Sequence, residues 1–147
     1  MIKYCIGIAL CGMFIACGGH PKVTVTHTVP RGYSGPFAVL RASEVGGLDL
    51  PKVAAADAWA WSPRGVVVVD MEGSWAGLMH QYEDDIGAVR TDCQHLGATA
   101  YGDGGDCLHV LWFFCGAQDD GVRFLMGSGF GSRTAKWLID RGVRVPH

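Results

Sequence analysis

Residues 22–29 alternate without a break, with Val23, Val25, His27 and Val29 on one side and Thr24, Thr26 and Thr28 on the other. A period of two with β-branched residues on both sides predicts a half-buried strand. Proline, glycine and serine in residues 30–36 predict a turn, after which Phe37, Ala38, Val39 and Leu40 resume an extended apolar pattern. The two segments are therefore expected to pair as a hairpin. Trp59 and Trp61 share one face of a further short strand, and the run Val66-Val67-Val68-Val69 is apolar on both faces. Such a run predicts a central strand.

Ile86, Val89, Cys93 and Leu96 recur at spacings of three, four and three behind the acids Glu83, Asp84 and Asp85. This stripe predicts an amphipathic helix over 83–97 that stops at Gly97. The most apolar stretch, residues 108–115, predicts a buried strand, and residues 122–126 predict another after a turn at Asp119-Asp120-Gly121. Ser132 is placed to cap a last helix that carries Ala135, Trp137, Leu138 and Ile139 and ends at Gly142. The expected class is α+β, a β-dominated single domain of mostly antiparallel strands with one or two helices.

Composition narrows the partners. Twelve Lys and Arg against fourteen Asp and Glu give a formal charge of −2 over 147 residues. That leaves no basic excess to neutralise a run of phosphates, so no nucleic acid is expected. No cofactor is indicated either.

The first residues add an address. Lys3 precedes an apolar stretch from Tyr4 to Ile15, then the small residues Ala16, Cys17, Gly18 and Gly19. Charge, short apolar core and small-residue site are the parts of a secretory signal, and the stretch falls short of the roughly 20 apolar residues of a spanning helix.

Phe14-Ile15-Ala16-Cys17 resembles the lipobox of bacterial lipoproteins, with Phe14 where Leu is usual. That resemblance implies a signal peptide over 1–16, a lipidated Cys17 with a short tether over 17–21, and a globular domain over 22–147. It also implies attachment to a membrane through the N-terminal lipid. Gly18 stands where lipoproteins retained in the inner membrane of many Gram-negative bacteria carry Asp, which for a Gram-negative host implies the outer membrane, facing the periplasm. Pro30-Arg31-Gly32-Tyr33-Ser34-Gly35, with Pro63-Arg64-Gly65-Val66 further on, is similar to a family of bacterial lipoproteins whose domain opens with Pro-x-Gly-Tyr-x-Gly. The family brings a β-rich fold and no activity. Binding or assembly with an envelope protein is the role expected of such a chain.

Outside the cytoplasm a disulfide is the first expectation for Cys93, Cys107 and Cys115. Cys93 with Cys107 is favoured and closes a 15-residue loop; Cys93 with Cys115 and Cys107 with Cys115 stay open. Cys115, beside Trp112, Phe113 and Phe114, also reads as a small buried hydrophobe. The alternative is a metal site or enzyme built on Cys107, His109 and Cys93. Cys107 and His109 are two apart on a predicted strand and share a face, as soft-metal ligands could.

Glycines 127, 129 and 131 with Ser128 and Ser132 suggest a phosphate loop only superficially, because no P-loop Lys is present. Asp103, Asp106, Asp119 and Asp120 read as solvated turns. Neither a G-x-S-x-G elbow nor His-Glu-x-x-His occurs, and His80, His95, Ser74 and Ser128 lie scattered, so catalysis is not the expected role. Trp75, among small residues, is the tryptophan expected at a binding surface.

Overall fold

The computed structural model describes residues 23–46, 48, 52–53, 58–60, 65–71, 75 and 77–147. The predicted signal peptide, Cys17, Ser74 and Trp61 lie outside the described residues.

The predicted strand at residues 108–115 organises the molecule. As β8, Asp106–Cys115, it pairs antiparallel with β7, Cys93–Asp103, on one side and with β2, Gly35–Arg41, on the other. Its apolar run is continuous because both faces are covered. Leu111, Phe113 and Cys115 enter one core, while Leu108, Val110 and Trp112 enter a second.

The four-valine run forms β5, Val66–Val69, buried throughout and parallel to β2 and to β3, Lys52–Val53. Val67 and Val69 join the first core, Val66 and Val68 the second. The central-strand reading holds. The five-stranded sheet has the order β3-β5-β2-β8-β7.

A second sheet of three strands covers the first core. Its centre is β1, Val23–Thr28, parallel to both β4, Ala58–Ala60, and β6, Leu78–Glu83. Val25 and His27 face the core, as the alternation predicts. Two helices, α1 (Gln118–Met126) and α2 (Phe130–Ile139), cover the opposite face of the large sheet. Leu138 of α2 is completely buried in the second core, and Trp137 meets Trp112 edge-on at 5.4 Å between ring centroids. The domain is thus β-dominated α+β, as expected, with mixed rather than predominantly antiparallel pairing.

Four local expectations are corrected. The strands flanking residues 30–36 are not a hairpin. The turn, closed by Tyr33 N–H donating to the Pro30 carbonyl, hands the chain from the small sheet to the large one. No helix forms over 83–97. The Asp84 carboxylate instead accepts the Ile86 and Ala88 amides at 3.0 and 2.8 Å, tying a tight turn that leaves Ile86 and Val89 exposed. Asp84, one of the acids whose spacing predicts a helix start, closes a turn instead. Residues 122–126 are the end of α1, with Asp119 and Asp120 in its first turn, where carboxylates complement the helix dipole. The last helix begins at Phe130 behind left-handed Gly129 rather than at a Ser132 cap.

Candidate functional site

Strand periodicity puts Cys107 and His109 on one face of β8, just past the part covered by the small sheet. The Cys107 sulfur is 3.8 Å from His109 Nε2. Glu44, in the turn after β2, grips the same histidine twice. Its Oε2 accepts the His109 backbone N–H at 2.7 Å, and its Oε1 lies 2.9 Å from the ring Nδ1. A carboxylate at Nδ1 keeps the proton there and presents Nε2 to the sulfur as an acceptor.

Arg41, at the end of β2, sits 3.7 Å from Glu44 Oε1 and lays its guanidinium over the Trp75 ring at 4.7 Å. Trp75 is half-buried and packs against the first core, so part of its ring is engaged within the molecule. A cleft of about 110 Å³ lies on the second-core side of Glu44, lined by Glu44, Val45, Leu48, Asp106, Val143 and Pro146 and by neither Cys107 nor His109. This volume lies well below the roughly 300–1,000 Å³ of ordinary small-molecule pockets.

The favoured disulfide is corrected. Cys93 bonds to Cys115, because the β7–β8 register sets those two residues directly opposite each other and sets Gly102 opposite Cys107. Cys107 remains a free thiol. The metal alternative loses Cys93 for the same reason, since that residue lies at the far end of the ladder. Glu44 does not replace it. It holds the opposite ring nitrogen from the sulfur, so the three groups do not converge on one ion, and no metal-binding group of three is present among the described residues. Thiol, imidazole and carboxylate stand in series, with the carboxylate fixing the tautomer of the ring between them.

The other histidines converge where the two sheets pack. His27 on β1 is 1% exposed; its ring stacks on Tyr82 at 5.2 Å and meets Phe113 at 4.5 Å. Its Nε2 is 2.9 Å from His80 Nδ1 on β6, so one ring donates to the other. His80 in turn meets exposed His95 of β7 at 4.9 Å, and His95 also lies 4.9 Å from Phe113. Burial, with the nearby His80 and His95 adding to it, pushes His27 down to about 3. Burial also pushes His80 down to about 4, helped by His95, and lowers His95 itself. At neutral pH this is a file of uncharged imidazoles running from core to surface.

The remaining candidates have structural duties. The glycine-rich segment at 127–129 joins the helices, and Arg133 occupies it, donating to the Phe124 and Gly127 carbonyls. Asp106 pairs with Arg144 at 3.4 Å and Asp120 with Arg123 at 3.6 Å, on separate parts of the surface. Glu44, Arg41 and His27 were not singled out from the sequence as site residues. Only His27 left a trace there, as the polar member of an apolar strand face.

No protein family and no curated protein sequence matches this chain. Among solved structures, a candidate lipoprotein from Bacillus anthracis, determined at 2.75 Å, is similar in fold with a TM-score of 0.54. The likeness covers 82% of this chain and 93% of that one at 13% sequence identity. It speaks to the fold.

Proposed function

We propose that the chain is a lipid-anchored envelope protein, attached through Cys17 after removal of residues 1–16, that works by binding or assembly. The observation that carries this reading is the Ala16-Cys17 lipobox a short distance ahead of Val23, where the first strand begins. The fold shared with a candidate lipoprotein supports it. Among the described residues no helix is long and apolar enough to cross a membrane. In this reading acyl chains on Cys17 are the attachment. More than one acyl chain is what stable anchoring requires. Gly18 in place of Asp favours the outer membrane, facing the periplasm.

An envelope protein is the expected partner, contacted near Trp75.

The test is metabolic labelling with an alkyne-bearing fatty acid in a bacterial host, comparing the full chain with Cys17→Ser and fractionating membranes. Label and membrane retention are expected in the first and lost in the second. Equal labelling of both, or of neither, overturns the anchor.

A further inference from the structure

The geometry points to a second chemistry: we propose that Cys107 is a nucleophilic thiol, primed by His109 and Glu44, that captures small disulfide-containing molecules by thiol–disulfide exchange. Three observations converge on it. The sulfur faces a ring nitrogen whose partner nitrogen is already held by a carboxylate, the order in which activated thiols are built. Cys107 is the free thiol among the described cysteines, in a domain whose other two are joined. The sulfur is partly exposed, and its cross-strand neighbour Gly102 has no side chain to cover it.

The charged groups around the pair are Glu44 and Arg41 from the β2 end, Asp106 on β8 and Arg144 in the C-terminal segment, the last two paired with each other. Glu44 is thus the carboxylate in contact with the imidazole, and it stabilises the charge that develops there.

The step balances without any further reagent. The Cys107 proton passes to His109 Nε2, and the thiolate attacks one sulfur of R–S–S–R. A new Cys107–S–S–R bond forms while the old S–S bond breaks. The leaving thiolate takes the proton from the imidazolium and departs as R–SH. The small disulfide is the oxidant and is reduced to one thiol. Among the described residues the other two cysteines are already bonded and no resolving thiol stands beside Cys107, so the mixed disulfide is the product.

An unassisted thiol is only a few per cent ionised near neutral pH, and its intrinsic nucleophilicity falls as ionisation becomes easier, so assistance of roughly tenfold is the expected scale. The test uses the full chain purified in detergent from its membranes and incubated with oxidised glutathione. Adduct formation at Cys107 is followed by peptide mass spectrometry, which keeps the result separate from whatever is attached at Cys17. The folded protein is expected to react about tenfold faster than the same protein unfolded in urea. His109→Gln should lose most of that advantage and Glu44→Gln part of it. The comparison of folded with unfolded chain needs no variant and stands even if a substitution disturbs folding. Absence of adduct, or folded and unfolded chains reacting equally fast, overturns the proposal.

Discussion

Acidification should loosen the packing between the two sheets through His27. Its ordinary value is 6.5 in the unfolded chain, and it is pushed down to about 3 in the folded one. Between those values the unfolded chain binds the proton and the folded chain does not, so stability is complete above 6.5 and falls as the pH drops towards the folded value. Going from pH 7 to pH 5 therefore costs about 2 kcal/mol from this residue alone, at about 1.4 kcal/mol for each unit travelled below the unfolded value. His80 and His95, both lowered, push the same way, but their greater exposure reduces their share. The carboxylates held low do not confuse this window. Asp84 is held below the usual range chiefly by the Ala88 amide, and Asp92 chiefly by the Arg90 guanidinium, so the stability they contribute is lost at more acidic pH. Urea unfolding at the two pH values, followed by tryptophan fluorescence, reads the difference. A cost of about 2 kcal/mol moves the midpoint by about 1 M for a domain of this size. His27→Phe keeps an aromatic ring against Phe113 and Tyr82 but cannot titrate, so most of the pH difference should disappear. Equal midpoints at both pH values, or an undiminished difference in His27→Phe, would refute the reasoning.

Three further outcomes follow from the packing. Cys115→Ala removes a bond that closes a loop of sequence separation 22. It should lower stability by about 3 kcal/mol in the chain-entropy view, and reductant should then no longer shift the variant's melting temperature as it shifts that of the parent. Phe113→Ala empties a fully buried position against Phe37 and the three histidine rings. A loss of about 3–5 kcal/mol is expected in denaturant unfolding, and a loss below about 1 kcal/mol would contradict the packing. Gly102→Ala should slow or prevent hairpin closure between β7 and β8. At φ +84° its new methyl would stand 2.2 Å from the Asp106 carbonyl oxygen and 2.6 Å from Pro146, a conflict visible as reduced soluble yield and a lowered melting temperature.

What could be read in the chain was local and periodic. The four valines are apolar on both faces and β-branched throughout, which favours a covered strand over a helix segment. Residues 83–97 misled because their spacing fits a helix equally well. The deciding fact is that Asp84 closes a turn on two amides, and a side chain bonding locally to backbone is not visible in a hydrophobic pattern. The hairpin between residues 22–29 and 37–41 failed for a related reason. A turn signal says that the chain reverses or bends, but not whether the next strand joins the same sheet. The same division runs through the site. Cys107 and His109 were legible as a pair because a strand repeats every two residues, whereas Glu44 is 65 residues away from His109 and reaches it only because β2 lies beside β8. That third residue fixes the tautomer: a carboxylate on the far ring nitrogen holds the proton there and leaves Nε2 facing the sulfur as the acceptor. Likewise His27 announced itself only as a polar residue among inward valines. Its meaning depends on β6 and β7 delivering His80 and His95 from two different sheets, and sheet-on-sheet packing leaves no mark in the spacing of any one strand.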